Sequence, residues 1–246
     1  MKKIPVALLL LTVLLAACGD DGRPAATVER EPLVVLAAAS LTGPFTELEK
    51  AYEQAHPAVD VQLSFAGSQV LVSQVREGAP ADVLATADEA TLQTVSTLVG
   101  SPALIAQNQL AIVTAPGNPK GIAALADLAR PGVTVVLAGP KVPVGKAARA
   151  ALAAEKVVVR PVSEEPDVKA VVSRVRLGEA DAGIAYVTDL RTPDVAGTPL
   201  PGTSNAYPAA AVLGATHREE GERFVAFLTG TAAQAFLRAA GFLPPP

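Results

Sequence analysis

Three hydroxyl-bearing residues, Ser40, Ser68 and Tyr186, stand where an apolar run gives way to turn or helix-start residues. Ser40 follows the continuous apolar run Leu33 to Ala38, Ser68 follows the alternating segment Val59 to Phe65, and Tyr186 ends the run Ala182 to Tyr186. Two further segments, Val142-Pro143-Val144-Gly145-Lys146 and Asp167-Val168, come directly before or at the start of stretches with helical spacing. In open α/β sheets the ligand crevice lies beyond the carboxyl ends of the strands, and helix starts facing it offer unpaired N–H groups and a partial positive charge. Hydroxyls and helix starts together suit an anion. Each residue alone has a plainer explanation, since a serine before a helix is ordinarily an N-cap and a tyrosine at a strand end is ordinarily core or rim. Only the set, brought together by one fold, makes a site.

The elements that would bring it together follow from periodicity. Leu33 to Ala38 has the unbroken apolar character of a strand buried on both faces. Phe45 to Ala55 is expected as a helix with Leu48, Tyr52 and Ala55 on one face, ended by Pro57. Val59, Val61, Leu63 and Phe65 alternate with polar residues, which describes a strand with one wetter face. The same rhythm predicts strands at Val83 to Ala85, Leu110 to Val113, Val133 to Leu137, Val157 to Val162, Ala182 to Tyr186 and Ala209 to Leu213. Helices are expected from Ser68, over Asp88 to Ser96, Ile122 to Ala129, Lys146 to Glu155, Asp167 to Leu177, Glu220 to Leu228 and Ala232 to Ala240. A proline-rich stretch holding Pro193, Pro199, Pro201 and Pro208 is expected as loop. Alternation of this kind implies an α/β fold with largely parallel sheets.

The N-terminus has a different character. Two lysines, an apolar run from Ile4 to Leu15 and the small residues Ala16 and Ala17 precede Cys18, the only cysteine. This order is that of a secretion signal, too short for a comfortable membrane span, and Leu15-Ala16-Ala17-Cys18 resembles a bacterial lipobox. Residues 1–17 are therefore expected to be removed as a lipoprotein signal peptide. Cys18 would carry acyl chains that hold the protein on the outer face of the cell membrane. Residues 18–32, without periodicity, are expected as a flexible tether.

Composition excludes several functions. A net charge of −4 gives no support to a nucleic-acid surface. The two histidines, His56 and His217, fall at a helix end and a helix start and are expected at the surface. No Gly-x-Ser-x-Gly elbow or His-Glu-x-x-His pair is present, so nothing nominates a nucleophile with its base, and an enzyme such as a secreted hydrolase is the weaker reading. The scattered tyrosines and histidines do not make an iron site.

The segments Ala37-Ala38-Ala39-Ser40-Leu41-Thr42, Phe65-Ala66-Gly67-Ser68, Gly78-Ala79-Pro80-Ala81-Asp82, Val142-Pro143-Val144-Gly145 and Gly183-Ile184-Ala185-Tyr186-Val187-Thr188-Asp189 occur in this order. Together they resemble the molybdate-binding proteins of bacterial ABC transporters, from about Leu33 to Phe242. The resemblance implies a two-lobed, periplasmic-binding-protein-like (type II) fold with the ligand cleft between lobes. One lobe would comprise residues 33–113 with 208–246, the other 114–207. It further implies that Ser40 and Ser68 donate through hydroxyl and backbone N–H, Tyr186 through its phenol, and Val144 and Val168 through backbone N–H. The ligand would be molybdate or tungstate, so that the metal is bound only as its oxyanion. No cofactor is expected, and the partner would be a membrane ABC permease served by a monomeric receptor. Val144 departs from the family's pattern, which has alanine there; a main-chain donor leaves the side chain free to vary, though the larger residue narrows the cavity. Lys146, the one cation near the proposed anion, is expected to be a solvated helix-start residue. A receptor for another tetrahedral oxyanion such as sulfate is the nearest alternative.

Overall fold

The computed structural model describes residues 30–246, so residues 1–17, Cys18 and nearly all of the expected tether lie outside it. Residues 31 and 32, expected as the end of the tether, belong to the fold instead. Glu31 and Pro32 already pair with Val59 and Asp60 in the first strand, β1 (Glu31–Ala38).

Among the described residues the strands form two five-stranded sheets. The first runs in the order β2 (Val59–Ala66), β1, β3 (Val83–Ala85), β10 (Asn205–Ala211), β4 (Ala103–Asn108). The second runs β7 (Ser163–Glu165), β6 (Val135–Ala138), β8 (Ala182–Tyr186), β5 (Leu110–Thr114), β9 (Ala196–Pro199). Helices α1 (Thr42–Ala55), α2 (Ser68–Arg76), α3 (Glu89–Gln93), α6 (Arg218–Thr229) and α7 (Thr231–Ala239) belong with the first sheet, α4 (Pro143–Ala154) and α5 (Val168–Arg176) with the second. The unbroken apolar run of β1 has a direct cause. Its side chains alternate faces, so Leu33, Val35 and Ala37 enter the core beneath α1 while Leu36 enters a second cluster with Leu71, Val75 and Leu84.

Several expectations are corrected. The sheets are mixed rather than largely parallel. Strands β1, β2 and β3 are parallel, as are β6, β7 and β8, but β10 runs against β3 and β4, and β5 runs against β8 and β9. The lobe boundaries placed after residue 113 and before residue 208 fall inside β5 and β10. Sheet membership instead puts the crossings between Asn108 and Leu110 and between Pro199 and Asn205. Strand β10 passes through Pro208 although it is an inner strand, because the register shifts there as a bulge, where a residue without an N–H is tolerated. The strand expected at Val157 to Val162 does not form. Pro161 lacks a ladder donor, Val158 is 78% exposed, and the chain first bonds to β6 through the Val162 N–H, at 2.8 Å from the Val135 carbonyl, with the strand itself confined to the polar segment Ser163–Glu165. The helix expected at Ile122 to Ala129 shrinks to a 3-10 turn at Leu125–Ala129, started by Asp127 accepting the N–H groups of Ala123 and Ala124 at 2.8 and 2.9 Å.

Candidate anion-binding site

The carboxyl ends of β1, β2, β6, β7 and β8 all point toward the gap between the sheets, and the predicted residues lie just beyond them. Ser40 sits in a 3-10 turn (Ala39–Leu41) after β1. Ser68 is the first residue of α2, with Gly67 as its N-cap. Val168 is the first residue of α5. Val144 lies in the first turn of α4, which starts earlier than its periodicity suggested because Pro143 takes the first helical position, where its missing N–H costs nothing. Tyr186 ends β8. All five line one small cavity, with Ala38, Ala39, Gly67, Ala87, Val142, Pro143 and Asp167 completing the wall. The empty space is about 210 Å³, of which only about 10 Å³ admits the centre of a water molecule, so the site suits a compact ion and not an organic solute. None of the five predicted residues is more than 5% exposed, so the two halves are closed over the cavity.

Each of the three hydroxyls is held from behind. The Ala87 N–H donates to Ser68 Oγ at 3.0 Å. The Tyr207 hydroxyl donates to Ser40 Oγ at 3.1 Å. Asn205 Nδ2 donates to the Tyr186 hydroxyl at 2.8 Å. A hydroxyl has one proton to give, and when its oxygen already accepts a bond from the protein that proton is free for a further acceptor. Burial, and after it the neighbouring Tyr207, raises Tyr186 well above the ordinary tyrosine range, so its phenol keeps the proton. Burial raises Tyr207 as well.

The helix starts contribute a second kind of donor. The first N–H groups of any helix have no partner within it, and burying them without one is costly. No side chain caps α2 or α4 at the cavity. Asp167, the only carboxylate in the wall among the described residues, caps α5 by accepting the Ala170 N–H at 2.9 Å. Among the described residues no lysine or arginine lines the wall. The cavity is thus donor-rich and without a formal cation in its lining.

Sequence reasoning placed all five predicted residues in this wall but missed the groups that orient them. Asn205 and Tyr207 lie in a stretch taken for loop, and only the pairing of β10 brings them behind the site. Tyr207 stacks edge-on between Tyr186 and Phe242, with ring centroids 6.0 and 5.3 Å away. The Gly78-Ala79-Pro80-Ala81-Asp82 segment is not part of the cavity. Asp82 instead accepts the N–H groups of Val34 at 2.8 Å and His217 at 3.1 Å, tying β3 to β1 and to the start of α6. Lys146 is not freely solvated. Its ammonium binds Asp88 Oδ2 at 2.6 Å and Thr91 Oγ1 at 2.9 Å on the opposite lobe.

Residues 33–243, which include the whole site, match the model of the family described as bacterial extracellular solute-binding protein. The chain belongs to that family. Among relatives of this solute-binding protein, the molybdate-binding protein ModA of Mycobacterium tuberculosis is 38% identical over 253 residues, covering 96% of this chain and 95% of the relative. The periplasmic molybdate-binding protein of Azotobacter vinelandii superposes with a TM-score of 0.73 at 20% identity, covering 87% of this chain and all (100%) of that one. The sulfate-binding protein SubI of Mycobacterium tuberculosis superposes with a TM-score of 0.75 at 21% identity, covering 87% of each chain. The two superpositions establish the two-lobed solute-binding fold. The family places the protein outside the cytoplasm and makes it a ligand-binding rather than a catalytic protein.

Proposed function

We propose that this solute-binding protein captures molybdate or tungstate by closure of its two lobes and hands the anion to a membrane ABC permease. The observation that carries the reading is the set of three buried hydroxyls, each accepting a bond from behind and free to donate forward, beside two uncapped helix starts on one ion-sized cavity. A tetrahedral dianion entering the cavity loses its water, and every oxygen then needs donors. Hydrogen bonds to a charged group contribute about 1.5–3 kcal/mol each, so six or seven give on the order of 10–20 kcal/mol before ordering and closure costs. Nanomolar capture needs about 12 kcal/mol, which neutral donors can therefore supply without an arginine.

The donor set also disfavours phosphate, which keeps a proton at neutral pH and needs an acceptor: among the described residues Asp167 is the one carboxylate in the wall, and its Oδ1 already accepts the Ala170 N–H. Sulfate shares the charge and shape of molybdate but is smaller, and a cavity sized for the larger ion leaves donors unpaired around it. The 38% identity to a molybdate-binding protein across nearly the whole chain supports the larger ion. Capture by closure is favoured because only the closed form joins Ser40 and Ser68 to Val144, Val168 and Tyr186. Removal of residues 1–17 and acylation of Cys18 would tether a single copy to the outer face of the membrane. Phase partition of the expressed protein into detergent, lost in Cys18→Ala, tests that anchor.

Thermal unfolding with molybdate, tungstate, sulfate and phosphate tests the ligand. A ligand bound only by the folded form raises Tm by mass action. Molybdate and tungstate should raise it at micromolar concentration, sulfate only at far higher concentration and phosphate not at all. A shift by sulfate at lower concentration than molybdate would reassign the site to sulfate.

A further inference from the structure

Lys146 and Asp88 face each other across the mouth of the cleft, one on each lobe. Lys146 follows Val144 by two residues in α4, and Asp88 follows Ala87, whose N–H holds Ser68 Oγ at 3.0 Å. Their contact, with Thr91 Oγ1 as a second acceptor, therefore joins the loop that orients one donor to the helix that presents another. Asp88 Oδ1 accepts the Thr91 N–H at 2.6 Å as the N-cap of α3, so the carboxylate is fixed before lysine reaches it. A second tie runs beside it: Gln69 Nε2, adjacent to Ser68, donates to the carbonyl of Pro166, two residues before Val168, at 2.9 Å. The lobes touch at this point so closely that a Cβ on Gly67 would lie 2.4 Å from that carbonyl oxygen.

We infer that Lys146, Asp88 and Thr91 form a latch that exists only in the closed form and sets the rate at which the bound anion leaves. These are positioning residues: none lines the cavity, so their action on the ligand runs through Ala87 and α4. Lys146 has 39% of its side chain exposed and Asp88 18%, which makes the pair accessible to salt. Arg76 and Lys141 line the same crevice beside the latch, and among the described residues neither has an ion-pair partner there. The inference rests on the anion reading proposed above, and its test separates the two.

The test is stopped-flow dissociation of molybdate from the unmodified chain and from Lys146→Met, Lys146→Arg, Asp88→Asn and the double variant Lys146→Met/Asp88→Asn, at low and high salt. Asparagine keeps the α3 cap while removing the charge. Each neutralising variant should release molybdate about two- to fivefold faster at low salt, the size expected of a partly exposed ion pair. Lys146→Arg should release it at the unmodified rate. The double variant should be no faster than the single ones, because both remove the same contact, and the differences should disappear at high salt. Unchanged release in the neutralising variants, or additive effects in the double one, overturns the latch. Should the unmodified chain bind none of molybdate, tungstate and sulfate, the anion reading fails on its own. The latch is then judged from spin-label distances between the lobes of the ligand-free protein, where the closed fraction must fall in Lys146→Met and an unchanged distribution overturns it.

Discussion

The two lobes meet the cavity in different ways. The first presents mainly side-chain hydroxyls, Ser40 and Ser68, each steadied by a bond from Tyr207 or Ala87, with a single helix start, that of α2 at Ser68. The second presents the backbone of two helix starts, at Val144 and Val168, and one phenol, Tyr186, steadied by Asn205 from the first sheet. The contrast teaches where the sequence is constrained. A hydroxyl donor vanishes with its residue, whereas a first-turn N–H survives almost any substitution that keeps the helix start in place. On the proposed reading, a valine can therefore stand at residue 144 without loss of the donor.

Substitutions can break this contrast. The largest effect should come from Ser40→Ala combined with Ser68→Ala, which leaves two anion oxygens short of a donor; molybdate affinity measured by calorimetry should fall by about 2–6 kcal/mol, from about 1–3 kcal/mol for each lost partner. Gly67→Ala comes next. Its Cβ meets a backbone oxygen of the other lobe, so closure should be opposed and affinity should drop by about 1–3 kcal/mol, the usual scale of overpacking. The melting temperature of the ligand-free protein should hold, because the open form has no such contact. Tyr186→Phe should cost about 1–3 kcal/mol of affinity by removing a donor, and Asn205→Leu a smaller amount, about 0.5–1.5 kcal/mol, by removing the group that orients it. Val144→Ala should do the reverse of the serine variants. Loss of two buried methyl groups should lower folding stability by roughly 1–2 kcal/mol while calorimetry finds molybdate affinity nearly unchanged. An affinity loss there as large as in the serine variants would place the side chain, not the backbone, against the ligand.

The parts of this arrangement that were legible in the sequence are local ones. Ser40, Ser68 and Val168 sit at strand-to-helix junctions, whose periodicity switches from two to 3.6 within a few residues, and the burial of β1 on both faces is written in its unbroken apolar run. What stayed hidden depends on pairing between distant segments. Strand β10 carries Pro208 and follows a proline-rich stretch, so its register against β3 and β4, and with it the place of Asn205 and Tyr207, has no local signature. Strand β7 is a polar sheet edge three residues long, while Val157, Val158 and Val159 before it join no strand. Lys146 looked solvated because its partner lies on the other lobe, 58 positions earlier in the chain, and nothing in α4 announces that the cleft will close.

The central claim is that neutral donors from both lobes surround one tetrahedral dianion. Crystals of the protein grown with molybdate, with anomalous scattering recorded at the molybdenum edge, test it most directly. The account predicts one strong peak between the lobes, its oxygens within hydrogen-bond distance of the Ser40, Ser68 and Tyr186 hydroxyls and of the Val144 and Val168 N–H groups. A peak on the protein surface, or a closed cleft holding another solute while molybdate is in excess, would contradict it.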